Sequence, residues 1–256
     1  MDKSIVAEIK EITTEAGAMA VNLRNKGLEI SLKEDSSPVT NADKAISSFI
    51  FDRLTSIAPD IPVICEERPP CAVDTSKQFW LIDPIDGTRS FIDNTDNFTV
   101  NIALIDNKSA AYGFIYQPTT GLLYFTDAEQ NFCVEENGIK TIRPAHGSEG
   151  LVAVVSSHHL NEKTESFLAS NSFSEIVSIP SSIKLCMLAE GRVDIYPKFG
   201  TTMEWDIAAG DALIRAAGGK VCTLSGEIMQ YAKKDFRNNH FIAMGKRWNK
   251  GVGESC

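Results

Sequence analysis

Apolar residues return at three- and four-residue steps in two stretches near the N-terminus. Across residues 4–24, Ile5, Ile9, Ile12, Ala16, Ala20 and Leu23 share one face at that spacing, which predicts a helix with a single buried stripe. A short strand-like ISLKE follows, and then Ile46, Ile50, Leu54 and Ile57 repeat the period, with Thr40 placed to cap a second helix and Pro59 to end it. From Ile61 the pattern changes to short apolar runs between turn residues. IPVIC, FWLID, FTVNIALI, AYGFIY, GLLYFTD and NFCVEENG read as successive strands, some joined as hairpins. Beyond about Pro144 strand and helix patterns alternate: LVAVVSS, NEKTESFLAS, EIVSI, SIKLCMLAEG, VDIYPKF and EWDIAAGDALIRAAGG. The expected organisation is α/β (α+β), with an N-terminal α+β half over 1–145 and a C-terminal α/β half over 146–256. No linker or repeat separates them, so the halves should be tightly joined and can count as one domain.

Composition narrows what this fold does. The hydrophobic fraction of 43% and charged fraction of 23% are those of a globular protein, and no apolar run approaches the ~20 residues that span a bilayer. No integral membrane segment is expected, and the polar-interrupted start points to a cytoplasmic protein, with peripheral membrane association left open. The net charge of −9 argues against a nucleic-acid partner, whose binding draws on clustered Lys and Arg. An acidic protein that handles phosphates needs metal cations to do so. The six cysteines form no CxxC pair and have no zinc-spaced histidines, so they are expected to be reduced thiols.

The acidic residues sit where strands and helices end or begin. In Trp80–Thr88 (WLIDPIDGT) a buried-looking strand runs into Asp83 and Asp86 around Pro84, followed by Gly87. Carboxylates at a strand end can offer oxygens to one or two cations, and a glycine lets backbone N–H groups approach an anion. An Asx turn is the simpler alternative. Glu66-Glu67 closes IPVIC in the same way, and ends of neighbouring strands face one crevice. Asp206 stands in the first turn of a later helix and Asp43 in the first turn of the second, where capping and the helix dipole account for an acid equally well.

Taken together, PVTNAD (38–43), Glu66-Glu67, DPIDGT (83–88) and WDIAAG (205–210) resemble the signature of the inositol monophosphatase family, in the right order over most of the chain. FTVNIALI (98–105), SSIKLC (181–186) and AEGRVDIYPKFG (189–200) are similar to its bacterial 3′(2′),5′-bisphosphate nucleotidase branch. The resemblance implies a layered α/β/α/β/α sandwich of the sugar-phosphatase type. It implies two or three Mg²⁺ ions held by Glu66, Asp83, the carbonyl of Ile85, Asp86 and Asp206. Asp43 and Thr88 would orient the attacking water, with Glu66 also counted as catalytic. Asp86, Gly87, Thr88, His159, Ser182, Lys184, Lys198 and Asp206 would contact substrate. Lys184, one turn into a helix that opens with two serines, makes an anion site of its own, although those serines can equally be caps. The implied reaction is removal of the 3′-phosphate of adenosine 3′,5′-bisphosphate to give AMP. A phosphatase for inositol monophosphate or another sugar phosphate is the alternative, and a silent metal- or nucleotide-binding regulator a remote one. The small phosphorylated substrate is the expected partner, lithium sensitivity is implied, and a monomer is favoured over a homodimer.

Overall fold

The structure is a computed structural model in which residues 1–33, 37–68, 74–145, 147, 149–157 and 161–248 are described. Helix α1 (Lys3–Lys26) starts where the Asp2 side chain accepts the Ser4 N–H, and it buries Ile9, Ile12, Ala16 and Ala20, the stripe read from the sequence. A hairpin of β1 (Ile30–Leu32) and β2 (Pro38–Thr40) leads into α2 (Asn41–Ile57). Thr40 and Asp43 form a reciprocal capping box at its start, and Ile46, Ile50 and Leu54 are buried beside α1.

The next strands are β3 (Val63–Cys65), β4 (Gln78–Asp86), β5 (Thr99–Asp106), β6 (Ser109–Gln117), β7 (Leu122–Thr126), β8 (Phe132–Glu136) and β9 (Ile139–Thr141), with a short helix α3 (Thr88–Ile92) between β4 and β5. They make a seven-stranded sheet in sequence order. Only the β3/β4 pair is parallel. Alternation decides which face goes where. Trp80, Ile82, Val100 and Ile102 join α1 and α2 in one core, while Phe79, Leu81, Ala103 and Ile105 join the opposite one.

The C-terminal half contains β10 (Val152–Val155), α4 (Glu162–Ala169), β11 (Glu175–Ser178), α5 (Ile183–Glu190), β12 (Ile195–Lys198), β13 (Thr202–Met203), α6 (Glu204–Ala216), β14 (Lys220–Thr223), β15 (Arg237–Asn238) and β16 (Phe241–Met244). Five of these strands form a second sheet in the order β11-β10-β12-β16-β14. Helices α5 and α6 lie between the two sheets, sharing one core with Leu81 and Ile105 of the first and Val154 and Phe241 of the second. On the outer face, Ala153 and Ile195 meet Phe167 and Leu168 of α4. The layers run α/β/α/β/α, as the resemblance implied. Helix α6 is seated so closely on β6 that a Cβ at Gly113 would stand 2.1 Å from the Ala209 carbonyl oxygen.

Three features escape the sequence pattern. Residues beyond Gly219 receive no assignment from periodicity, yet they supply β14 and the interior strand β16. Helix α3 is a single turn, and β9 is an exposed three-residue edge. The four described cysteines, Cys65, Cys133, Cys186 and Cys222, are buried free thiols, and Cys71 and Cys256 lie outside the described residues.

Candidate metal centre and active site

Parallel pairing of β3 and β4 brings their C-terminal ends together. The Glu66 N–H donates to the Ile82 carbonyl at 3.2 Å, which sets Glu66 beside Asp83. Strand β4 pairs with β5 through Asp83↔Asn101, then slips register before Asp86↔Thr99, so the Pro84-Ile85 step bulges and both aspartates stay near the strand end. Gly87 follows at φ 89°, a left-handed turn that suits glycine. The start of α6 comes in from the other half with Asp206, whose Oδ2 accepts the Met203 N–H at 2.8 Å.

One carboxylate oxygen each from Glu66, Asp83 and Asp206 lies within 4.8 Å of the others. Burial pushes all three acids above the usual carboxylate range. Glu66 and Asp86 repel the charges of Asp83 and Asp206 further, while Lys33 partly offsets the rise at Glu66. Three desolvated carboxylates facing one another are a costly arrangement that a divalent cation relieves, and all-oxygen donors suit a hard ion. The chain supplies further oxygen geometry nearby: Asp83 Oδ1 accepts the Ile85 N–H and Thr88 Oγ1 donates to the Ile85 carbonyl, both at 3.1 Å.

These acids line a cavity of about 320 Å³ together with Asp86, Gly87, Thr88, Ser182, Lys184 and Lys198. The cavity therefore gathers carboxylates and two lysine side chains in one lining. Burial lowers Lys184 to about 8, a shift that Asp86 and Asp206 oppose and Lys198 adds to. Burial likewise lowers Lys198, with Asp206 opposing. Lys184 Nζ donates to the carbonyls of Ile179 and Ser181, so the turn before α5 takes two of its three N–H groups.

The structure brings Glu66, Asp83, Asp86, Asp206, Ile85, Gly87, Thr88, Ser182, Lys184 and Lys198 to one cavity. Asp43 does not line it. That carboxylate is nearly buried, its Oδ2 accepts the Thr40 N–H at 2.8 Å, and it stands close enough to Glu66 and Glu67 to repel their charge. His159 lies outside the described residues. Ser182 is the N-cap of α5 but makes no side-chain cap bond, so the capping alternative fails for it: its hydroxyl is taken by Thr99 and Asn101. Lys33 is a participant that the sequence did not single out. Its ammonium lies 2.6 Å from both Glu66 and Glu67, and although burial works to lower it, the two glutamates hold it above the ordinary lysine range. The signal was a lone charge at the end of a short strand, which looks the same as any solvated lysine.

The inositol monophosphatase family model matches residues 2–254, nearly the whole chain. The chain belongs to the inositol monophosphatase family. Within that family it is 38% identical over 212 residues to the 3′(2′),5′-bisphosphate nucleotidase CysQ of Shigella flexneri, covering 82% of this chain and 86% of that one. It is 35% identical over 250 residues to the CysQ nucleotidase of Buchnera aphidicola, covering 94% of each. The crystal structure of CysQ from Bacteroides thetaiotaomicron, a bacterial member of the inositol monophosphatase family, superposes with a TM-score of 0.84 at 33% identity, covering 96% of this chain and 98% of that one. Inositol monophosphatase family enzymes are metal-dependent, and the Glu66, Asp83 and Asp206 cluster, in which Asp83 is buried, has the donor chemistry for that dependence.

Proposed function

We propose that this protein is a Mg²⁺-dependent 3′(2′),5′-bisphosphate nucleotidase that removes the 3′-phosphate of adenosine 3′,5′-bisphosphate to give AMP and phosphate. The observation that carries the substrate is the mixed lining of one cavity: a carboxylate cluster together with two buried lysines, Lys184 and Lys198. A sugar monophosphate has no second charge to need them. The similarity to CysQ nucleotidases supports the same reading.

Glu66, Asp83, the Ile85 carbonyl, Asp86 and Asp206 would hold two or three Mg²⁺ ions. When bound, these supply the positive charge that admits a phosphate to an acidic cavity and make water a stronger nucleophile at neutral pH. The water oxygen bonds to phosphorus as the bond from phosphorus to the 3′ oxygen breaks, and that oxygen leaves with a proton as the AMP hydroxyl. Thr88, whose hydroxyl is already held by Ile85, orients the water on the cavity side. Asp43 acts from behind Glu66 and Glu67, anchored by its capping box. Gly87 and Thr88 border the scissile phosphate. Lys198 and the remaining N–H of Lys184 take the 5′-phosphate as point charges, with Ser182 in the same cavity lining and His159 assigned to the nucleoside.

The enzyme works as a cytoplasmic monomer and is inhibited by Li⁺, in keeping with the resemblance. The test is phosphate release from adenosine 3′,5′-bisphosphate, 3′-AMP and inositol monophosphate, in Mg²⁺, in Mg²⁺ with Li⁺, and in chelator. The expected order puts adenosine 3′,5′-bisphosphate first, with Li⁺ inhibition and no turnover in chelator. Preference for inositol monophosphate would move the sugar-phosphate reading ahead.

A further inference from the structure

Two of the branch-like segments, FTVN and SSIK, are 82 residues apart between Thr99 and Ser181, yet they meet in one buried polar cluster. Thr99 Oγ1 lies 2.8 Å from Ser182 Oγ and 3.1 Å from Ser181 Oγ, and Ser181 Oγ donates to Asp86 Oδ2 at 2.7 Å. The backbone N–H of Ser182 donates to the same Asp86 oxygen. Asn101 Oδ1 stands 3.0 Å from both the Thr99 and Ser182 hydroxyls. Thr99, Asn101 and Ser182 are almost wholly buried. Ser181 holds a left-handed φ of 63°, and Lys184 ties down its carbonyl. A serine pays for that backbone unless its side chain is needed where it points.

We infer that Thr99, Ser181, Ser182 and Lys184 are positioning residues that fix the Asp86 carboxylate across the junction between the two halves. Ser181 donates to Asp86, Thr99 can donate to Ser181, and Ser182 can donate to Thr99 or to Asn101 Oδ1, so Ser182 heads the chain while Thr99 and Ser181 can each accept once and donate once. Asp86 Oδ2, which accepts from both the Ser181 hydroxyl and the Ser182 N–H, sets that direction, and chains of this kind strengthen each link. With Oδ2 held by the C-terminal half, Asp86 keeps Oδ1 for a cation. Ion affinity therefore depends on how the turn before α5 sits against β4 and β5. The two segments belong together because they build one support for one carboxylate.

The inference rests on the reading of Asp86 as a cation ligand, and the experiment separates the two. Mn²⁺ binding is measured by calorimetry without substrate, alongside kcat, KM and Tm, for wild type, Asp86→Asn, Ser181→Gly, Thr99→Val and Thr99→Ser. Glycine suits a left-handed position, so Ser181→Gly removes the hydroxyl without adding backbone strain. The expected result for Ser181→Gly is an ion affinity lower by about 10- to 100-fold, the usual cost of losing a support behind a metal ligand, with lower kcat and a retained fold. Thr99→Val should shift both in the same direction, and Thr99→Ser should restore them. If Asp86→Asn binds Mn²⁺ like wild type, the cation-site reading fails. If Asp86→Asn loses binding while Ser181→Gly keeps wild-type affinity and kcat, the positioning role is overturned. Should Thr99→Val fail to fold, Ser181→Gly alone decides.

Discussion

Asp83 is 2% exposed, and Glu66, Asp86 and Asp206 are its charged neighbours. Removing its charge should relieve repulsion in the ion-free protein and remove a donor in the loaded one. Asp83→Asn, whose amide oxygen can still accept the Ile85 N–H, is expected to melt at or above the wild-type temperature in chelator. In Mg²⁺ at about 100 times its Kd, wild type should gain about 2.7 kcal/mol through binding linkage while the variant gains little and turns nothing over. Equal stabilisation of both by Mg²⁺ would remove Asp83 from the cation site. Such residues stood out in the sequence because carboxylates close two neighbouring apolar strands, although an Asx turn was the simpler reading of Asp83 and Asp86 taken alone. The residues behind them were not. Thr99 and Asn101 read as ordinary polar positions on a strand, and Lys184 read as a free cation although two of its N–H groups go to backbone carbonyls. Hydrogen bonds between segments far apart leave no local pattern.

Two of the three acids on helix α6 have different fates. Asp206 faces the cavity, whereas Asp211, just over a turn later, is fully buried against Tyr231, whose hydroxyl donates to Asp211 Oδ2 at 2.9 Å. Burial pushes Asp211 up to about 7, with Arg215, the Tyr231 hydrogen bond and Lys233 opposing. The folded protein thus keeps a proton there that the unfolded chain releases near its ordinary value of about 3.9. Stability from this group is present below about pH 4 and is lost as pH rises to about 7. Asp211→Asn has no such loss. Its Tm relative to wild type should rise between about pH 5 and about pH 8; a difference that stays constant would place the Asp211 titration elsewhere. The element itself was plain from EWDIAAGDALIRAAGG, whose small residues fit close packing on both sides, with Ala209 against Gly113 of β6 and Gly210 against Leu185 of α5. That Asp211 points away from the cavity was not legible, since one sequence position cannot say which side of a doubly buried helix carries the site.

At the scale of the whole molecule, the seven-stranded sheet and its helices deliver Glu66, Asp83 and Asp86, and the C-terminal half delivers Asp206, Lys184 and Lys198. The elements were legible because each half keeps its own hydrophobic period, and the order of the layers was legible through the family resemblance. The division of the cavity's carboxylates and lysines between the two halves was not, because it depends on where the fold brings each residue. That division makes the account testable through Lys198, which is nearly buried, lines the cavity and makes no ion pair among the described residues. Lys184 is the poorer probe, since truncating it also frees the Ser181 turn. The decisive measurement is kcat/KM for adenosine 3′,5′-bisphosphate and for 3′-AMP, in wild type and Lys198→Ala, at the same Mg²⁺ and salt. The account predicts that the variant loses about 1.5–3 kcal/mol on the bisphosphate, the worth of a hydrogen bond to a charged group, with 3′-AMP nearly unchanged. An equal loss on both substrates, or none on either, would contradict a cavity built to read a second phosphate.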